Sequence, residues 1–349
     1  MTDNADVRAS LVHADPQTTG TVCPEPDALT GTAVLDDLAD WEPLTFAKKK
    51  KVLELPRPQA LLFDTHAHLR SFWGEDKNPV DVLVRAYQAG VRGLVTLYDP
   101  IADKSEETPD AAAFSAWLQG VAGAAAARGA IIPVRYLVGV HPYGAPDYTD
   151  AIHAQVEDAL ADPLCAGVGE IGLDYHFDAD DNIEAAPHDL QMHAMARQLE
   201  LAVRHNVPVE LHLRNDNGDD AREAHADAAR VLEQVGVPAA GCVLHCFGED
   251  HATMERFVRL GCHIAFGGAA TFKRNDDVRE AFAACPLDRL LLETDCPYMA
   301  PEPIRGLECE PAMIAQTADV LIYDRADRTG ELPRDIAQAI WRSSIALFG

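Results

Sequence analysis

The stretch LLFDTHAHLR, residues 61–70, is the first of a series of short strand-like runs in this chain. It begins with apolar residues and ends in two histidines, His66 and His68, which one small residue separates. In an extended chain, side chains at i and i+2 point to the same face, so both imidazoles can approach one metal ion. Taken alone, the stretch fits a strand end with two histidines at a turn better than a metal site.

Seven further runs of this kind follow, and helix-like stretches such as 80–89, 185–205, 221–234 and 252–260 lie between them. The eight runs are ALLFDTH, RGLVTLYD, VRYLVGVHP, CAGVGEIGLD, PVELHLRN, GCVLHCF, CHIAFGG and RLLLETD. Such alternation is typical of a βα array. Eight units in about 290 residues favour a closed barrel over a doubly wound sheet, because no G-x-G-x-x-G opens the first helix. We therefore predict an α/β fold, a (β/α)8 TIM barrel with a flexible N-terminal extension.

The first 57 residues differ in composition from the rest of the chain. They are acidic, with scattered proline and glycine, and they include the run AKKKK at 47–51. We predict that residues 1–57 form a largely flexible extension and that residues 58–349 form the barrel domain. The lysine run could bind phosphates or steer a substrate, but a solvated linker is the interpretation we favour.

The connection at 99–130, between the second and third runs, is unusually long. It combines an acidic loop with an alanine-rich helix. Loops of this length often have a functional role, so the segment predicts a flap over the barrel mouth. An ordinary surface insertion fits the sequence equally well.

Charge and hydropathy restrict the classes of function. The formal net charge of -27 repels polyanions at long range and argues against a protein that binds nucleic acid through a basic surface. Bound divalent cations can reverse the local field in a cleft, so a nucleic-acid enzyme with a metal site is compatible with this charge. No apolar run approaches the roughly 18 residues of a membrane span, and the N-terminus lacks the features of a secretory signal. We expect a cytoplasmic protein with no membrane role.

Polar side chains that are unusual for buried strands appear at the carboxyl end of nearly every run. In chain order these are His66 and His68, His141, Glu170 with Asp174 beyond it, His212 and Arg214, His245, and Asp295. In a (β/α)8 barrel the carboxyl ends of the strands meet on one face, which carries the active site. Imidazoles and carboxylates are ligands of Zn²⁺, Mn²⁺ and related ions, and a bridging carboxylate such as Glu170 can hold two ions about 3.5 to 4 Å apart. The sequence therefore predicts a two-metal hydrolytic centre.

Structural alternatives exist for several of these residues. Glu170 lies in an apolar, glycine-rich run, where burial is costly unless a cation or partner is present, which favours a metal role. His212 shares a strand face with Glu210 and Arg214, so a salt-bridged strand is the alternative to ligation. His245 has the ordinary alternative of a core histidine.

Three further residues flank the proposed ligands. Glu293 has the same strand parity as Asp295, so it is either a partner that supports a ligand or part of a barrel-interior layer. Cys246 and Cys296 point to the opposite face if their strands stay regular, and we interpret both as packing residues.

Several of these pieces together resemble the TatD-like metal-dependent hydrolases, a family of amidohydrolase-type barrels. The matching pieces, in family order over residues 60–349, are FDTHAHL, VGVHP, VGEIGLDY, PVELHLR, LHCF and the segment from TFKRNDD to PLDRLLLETDCPYMAPEPIRG. The resemblance implies one or two divalent ions, of Zn, Mn or Mg, and phosphodiester hydrolysis, often as a deoxyribonuclease or 3′–5′ exonuclease. It implies as metal ligands His66, His68, Glu170, His212, His245 and Asp295. It also implies catalytic roles for Asp295, as general base, and Glu170, with His141 and Arg214 facing a DNA or small phosphoester substrate.

The expected mechanism follows from these roles. Divalent ions lower the pKa of a bound water toward about 7. Asp295 would accept the proton of that water, Arg214 would bind phosphate oxygens, and His141 would protonate the leaving oxygen.

Departures from the family pattern bear on the substrate. The family loop that commonly reads RGKRNEP reads RGLECEP at 305–311, and Tyr143 stands where a second histidine is common. The loss of basic residues keeps a small amide, lactone or phosphoester as an alternative to DNA. A non-catalytic metal-binding or partner-binding barrel is the second alternative.

Overall fold

A computed structural model describes residues 38, 41, 43–72, 74, 77–176 and 185–349. Within these residues, two short strands form an antiparallel hairpin, and eight parallel strands form one sheet in chain order. The hairpin consists of β1 (Thr45–Lys48) and β2 (Lys51–Glu54). The sheet consists of β3 (Leu62–Ala67), β4 (Val91–Tyr98), β5 (Val134–Val138), β6 (Cys165–Asp174), β7 (Val209–Arg214), β8 (Cys242–Leu244), β9 (His263–Phe266) and β10 (Leu290–Leu292).

The last strand returns to the first and closes the sheet into a barrel. Ala67 pairs in parallel with Cys296, just beyond β10. The backbone N–H of Asp295 donates to the carbonyl of His66 at 3.0 Å, and the N–H of His68 donates to the carbonyl of Cys296 at 2.8 Å. The predicted (β/α)8 barrel is therefore confirmed.

Side chains add to this closure between 64–68 and 292–296, which we call the seam. Asp64 is fully buried, and its carboxylate accepts hydrogen bonds from the backbone N–H of Thr294 at 2.9 Å and from the Thr294 hydroxyl at 2.6 Å. The hydroxyl of Thr65 donates to the carbonyl of Leu292 at 3.1 Å. A buried polar group is tolerated when it is hydrogen-bonded in this way, so Asp64 acts as a structural tie across the seam.

Helices pack around the barrel. In the described ranges they are α1 (Pro79–Gln88), α2 (Ala111–Ala126), α3 (Asp150–Ala159), α4 (His188–His205), α5 (Glu223–Val235), α6 (His251–Arg259), α7 (Asp276–Ala284), α8 (Ile314–Thr329) and α9 (Pro333–Phe348). The local sequence explains their starts: the Asp250 side chain caps α6 by accepting from the N–H of Thr253, and Pro187 precedes α4, which begins three residues later than predicted. No helix in the described part of the chain combines the length and hydropathy that crossing a membrane requires.

The long connection after β4 contributes to both the mouth and the outer wall. Its first residues, Ile101 to Asp103, line the cavity at the carboxyl ends of the strands. Asp99 holds this loop, because its carboxylate accepts from the backbone N–H groups of Ile101 and Ala102. The alanine-rich part forms α2, which buries Phe114 and Leu118 completely.

The opposite end of the barrel is closed by α9. The Ser343 hydroxyl donates to the carbonyl of Leu287, at the amino end of β10. Inside this end, Phe63 contacts the rings of Trp341 and Phe348, with centroids 6.3 and 6.4 Å away. Packing of these aromatic rings fills the amino end, so the barrel opens only toward the carboxyl ends of its strands in the described residues.

The hairpin lies inside the segment that was predicted to be a largely flexible extension. The lysine run forms its turn, with Lys49 at a φ of 54°, instead of a linker. Leu53 and Leu55 are buried against the barrel domain, which explains why this part of the segment is held in place. The domain boundary after residue 57 stays a prediction, and residues 1–37 lie outside the described residues.

Candidate metal centre

The carboxyl ends of the strands surround a cavity of about 1150 Å³. Its lining includes the side chains of His68, Glu170, His212, His245 and Asp295. His66 lies directly behind this surface and is fully buried. All six predicted ligands are therefore brought together from five different strand ends.

One half of the cluster joins the two histidines of β3 to Asp295. The Nε2 atoms of His66 and His68 lie 3.1 Å apart. Oδ1 of Asp295 lies 3.7 Å from the first of these nitrogens and 3.5 Å from the second. Oε1 of Glu170 lies 3.6 Å from Nε2 of His68 and completes this group.

The other half of the cluster is formed by the second oxygen of Glu170 with two histidines. Oε2 of Glu170 lies 2.9 Å from Nε2 of His245 and 3.2 Å from Nδ1 of His212. These two nitrogens are 3.1 Å apart. Glu170 therefore directs one carboxylate oxygen to each half, which is the arrangement that a bridging ligand requires.

The surroundings favour the protonation states that bind metal at three of these positions. Burial raises the pKa of Glu170, but hydrogen bonds with His212 and His245 outweigh it and hold the pKa well below the usual value. Burial also raises the pKa of Asp295, but the hydrogen bond with His68 and the nearby histidines outweigh it and lower the pKa. Burial lowers the pKa of His66 to about 3. Two ionised carboxylates and a neutral imidazole are the forms that coordinate a cation.

The donor set fits a divalent cation. Ring nitrogens lie 3.1 Å apart both between His66 and His68 and between His212 and His245. Burial lowers the pKa of His68, His212 and His245, but hydrogen bonds to neighbouring carboxylates outweigh it and raise the pKa of all three, that of His212 to about 9. A divalent cation in each half would replace the protons that these imidazoles otherwise hold. Nitrogen and oxygen donors of this kind suit Zn²⁺, Mn²⁺ and related ions.

Two buried carboxylates orient the histidines from behind. Oε1 of Glu210 lies 2.6 Å from Nδ1 of His66, and both side chains are fully buried. Oδ2 of Asp174 lies 3.1 Å from Nε2 of His212. Each carboxylate accepts the ring N–H, so the other ring nitrogen is left as a ligand. The sequence interpretation placed Glu210 only in a salt-bridged strand and gave Asp174 no role, although Glu210 has the same strand parity as His212.

Glu293 lies behind the cluster, beside His245, whereas Cys246 departs from the simple strand pattern. Oε1 of Glu293, which is fully buried, accepts from the backbone N–H of Cys246 at 2.5 Å and lies 3.7 Å from Nδ1 of His245. Cys246 was expected to pack on the opposite face, but this prediction is wrong, because its side chain lines the cavity beside Asp295. Its φ of 48° breaks the regular alternation of side chains after β8. Cys296 is fully buried.

His141 and Arg214 lie beside the cluster. Nδ1 of His141 accepts from the backbone N–H of Tyr143 at 3.2 Å, so the neutral ring carries its proton on Nε2. Burial lowers the pKa of His141 to about 3, with the His212 charge adding to this effect. Arg214 is half-exposed in the cavity, with Nη1 4.0 Å from Oδ2 of Asp174. Both side chains therefore present N–H donors next to the six candidate metal ligands.

A (β/α)8 barrel whose strand ends gather imidazoles and carboxylates in this way defines the class of metal-dependent hydrolases with a TIM-barrel fold. Residues 63–349 match the family described as TatD related DNase, and the chain belongs to this family.

Relatives of known sequence or structure agree with this assignment. The uncharacterized metal-dependent hydrolase TatD of Mycobacterium tuberculosis is 32% identical over 277 residues, which cover 79% of this chain and 93% of that protein. A protein of Pantoea vagans named 3′-5′ ssDNA/RNA exonuclease TatD is 32% identical over 205 residues, which cover 57% of this chain and 74% of that protein. The crystal structure of YJJV, a TatD homolog from Escherichia coli K12, has a TM-score of 0.64 at 29% identity and covers 82% of this chain and 97% of that chain.

Proposed function

We propose that this protein is a divalent-metal-dependent phosphodiesterase that removes nucleotides from the 3′ end of single-stranded DNA. The observation that carries the proposal is the position of Glu170, whose two carboxylate oxygens face two separate groups of histidines. Paired metal positions with a shared carboxylate are typical of nucleases and phosphatases, in which the attacking and leaving oxygens both need stabilisation.

In this proposal each half of the cluster would hold one ion. His66, His68, Asp295 and Oε1 of Glu170 would hold the first, and Oε2 of Glu170, His212 and His245 would hold the second. When bound, divalent ions make a water molecule more acidic and neutralise the charge of a phosphate oxygen.

The side chains of this chain carry the remaining tasks. Asp295 is the general base: its Oδ1 faces His66 and His68, and the other oxygen of this ionised carboxylate is left to accept a proton from the attacking water. Arg214 binds the phosphate oxygens through its planar guanidinium. His141 donates Nε2–H to the leaving oxygen as a hydrogen bond, which stabilises charge there without requiring an imidazolium.

Two comparisons support nucleic acid as the substrate class. The family is described as TatD related DNase, and the relative from Pantoea vagans is named as an exonuclease that acts on single-stranded DNA and RNA. The present chain retains a histidine or carboxylate at each of the six ligand positions that the family pattern implies.

The test is hydrolysis of a 3′-labelled single-stranded oligonucleotide by full-length protein loaded with Zn²⁺, Mn²⁺ or Mg²⁺. Release of labelled mononucleotide is expected from the wild type, and Asp295→Asn should lose at least about a hundredfold in kcat because the general base is removed. Asp158→Asn is the matched control, since Asp158 is exposed on α3 and does not line the cavity. Full turnover by Asp295→Asn with unchanged metal content would refute its role as base.

Hydrolysis of a small phosphoester is the second candidate. Acidic side chains occupy much of the cavity rim, namely Asp103, Asp147, Asp216, Asp219, Asp220 and Glu249. This charge repels a long polyanion more than a small substrate. Activity confined to small phosphoesters would favour this candidate over the nuclease. Activity confined to amides or lactones would contradict both, and metal binding without any hydrolysis would favour a non-catalytic barrel.

A further inference from the structure

We propose that the lysine hairpin and two mouth loops form a binding surface for the phosphate backbone of a single-stranded nucleic acid that enters the active site. The surface consists of Lys49, Lys50, Lys51, Lys273, Arg274 and Arg305, all of them exposed, and we call it the basic patch. The inference rests on the proposed function, because it extends the substrate beyond the nucleotide at the metal centre.

The hairpin is anchored to the loop that follows β10. Nζ of Lys48 donates to the carbonyl of Arg305 at 2.5 Å. Nζ of Lys51 lies 3.8 Å from Oε2 of Glu302 in the same loop. These contacts fix the turn of the hairpin beside Arg305, so the lysines at 49 and 50 project from a defined place on the barrel.

A second loop, after β9, supplies the other cations. The guanidinium of Arg305 stacks on the ring of Phe272, with 4.3 Å between them. Lys273 and Arg274 follow Phe272 directly and are exposed. Cations from three separate chain segments therefore meet at one place, which scattered surface charge does not explain.

The patch is continuous with the mouth of the cavity. The backbone N–H of Glu302 donates to the hydroxyl of Thr271 at 2.9 Å, which joins the two loops. The same loop carries Tyr298 and Met299, which line the cavity and are 49% and 45% exposed. An exposed tyrosine and methionine between a basic surface and a catalytic cavity are suited to stack against nucleobases while the cations bind the backbone.

The other sides of the cavity rim are acidic, so the basic patch is the side on which a nucleic acid can approach. The loop at 215–220 and the residues Asp103, Asp147 and Glu249 are acidic and border other sides of the cavity. In a chain with a net charge of -27, a polyanion is repelled from those sides. Glu302, together with Asp276 and Asp277 at the start of α7, offsets part of the positive charge of the basic patch. The remaining cations of the patch still form the side of the cavity that attracts a polyanion.

The hairpin lies outside the residues that match the family. The family match begins at residue 63, whereas the hairpin ends at Glu54. The loop at 305–311 carries one basic residue, Arg305, and two acidic residues, Glu308 and Glu310. The hairpin thus supplies positive charge next to a loop that has little of its own.

Binding of an oligodeoxythymidylate of about 20 nucleotides to the full-length protein in EDTA, followed by fluorescence anisotropy, tests the patch. The variant Lys49→Asn/Lys50→Ser keeps a residue that tolerates positive φ at position 49. It should bind about tenfold more weakly, and the salt dependence should lose about 1.4 from its log–log slope, since each contact on a single strand contributes roughly 0.7. Lys273→Ser/Arg274→Ser, which leaves the hairpin intact, should show the same loss.

The matched control is Arg334→Ser/Arg342→Ser, which removes the same charge from α9 at the opposite end of the barrel. In metal-loaded protein, both patch variants should raise KM for the long oligonucleotide and leave hydrolysis of a dinucleotide unchanged. If the wild type hydrolyses the oligonucleotide and the patch variants behave like the control, the inference fails and the proposed function stands. If the wild type binds the oligonucleotide through the patch but hydrolyses neither substrate, the proposed function fails instead. Absence of binding by the wild type overturns the inference.

Discussion

Nδ1 of His66 lies 2.6 Å from Oε1 of Glu210, and neither side chain is exposed to solvent. This pair determines which ring nitrogen of His66 faces the cavity. Burial raises the pKa of Glu210 to about 8, so a charged carboxylate is unfavourable at this position unless a cation lies nearby. A histidine oriented by a buried carboxylate is the usual support of a metal ligand.

Glu210→Gln should therefore weaken metal binding by about 10- to 100-fold, as removal of such a support typically does. Titration of the metal-free protein with Zn²⁺ or Mn²⁺ in a calorimeter measures this. The metal-free variant should unfold at about the same denaturant concentration, because a pKa of about 8 leaves Glu210 largely uncharged at neutral pH and the amide is a neutral replacement of similar size. Glu233→Gln, on the exposed face of α5, is the control. An unchanged metal affinity combined with a destabilised fold would show that Glu210 is purely structural.

Asp174→Asn should selectively weaken the half of the cluster formed with His212. Asp174 accepts from Nε2 of His212, which leaves Nδ1 for the ion, and an asparagine can reverse this preference by donating. Metal analysis of the purified variant should show loss of about one ion per chain relative to a doubly loaded wild type. Retention of both ions at wild-type affinity would contradict this role.

Arg214→Ala should reduce kcat/KM for a phosphodiester by about 10- to 100-fold, mainly through KM, because one charged hydrogen-bond donor to the phosphate is lost. Arg214→Lys should recover part of the loss, since a lysine keeps the charge without the planar fork. Arg222→Ala is the control: Arg222 also lines the cavity, but Glu249 and Asp250 hold its guanidinium at 2.6 and 2.9 Å. Equal effects of the two alanine variants would remove the case for a specific phosphate contact.

Asp64→Ala should destabilise the barrel by about 2 to 5 kcal/mol, because it leaves the N–H and the hydroxyl of Thr294 buried without their acceptor. Urea unfolding of metal-free protein measures the change. Adding Thr294→Val should cost less than in the wild type, since the hydroxyl has already lost its partner. Asp158→Ala, at an exposed position of α3, should stay within about 0.5 kcal/mol of the wild type.

Much of the fold was predictable because the signals were local and repeated. Each of the eight strand-like runs contains a strand, and CAGVGEIGLD corresponds to the whole of β6. Once eight βα units close into a ring, polar residues at the strand ends must converge, which explains why the gathering of the six side chains could be expected. Their coordination of metal and the roles of His141 and Arg214 stay predictions.

Other features could not be derived from the pattern. Glu210 contacts His66 across the barrel interior, and the curvature of the barrel determines that contact. The position of Cys246 was predicted incorrectly because its positive φ reverses the alternation of side chains between the two faces of the strand. The hairpin depends on contacts with a loop about 250 residues later in the chain, which composition does not reveal.

The seam links metal binding to the stability of the closed barrel. The backbone hydrogen bond from Asp295 to His66 closes the barrel, and the side chains of the same two residues lie on one proposed metal position. His66 and Asp295 would hold an ion between the first and last strands, and its binding free energy would then oppose opening of the barrel. Amide hydrogen exchange at His68 and Asp295 should slow when metal is added, while exchange in β6, inside the continuous sheet, changes less. The rate at which the barrel opens at this seam would thereby report whether its active site is occupied.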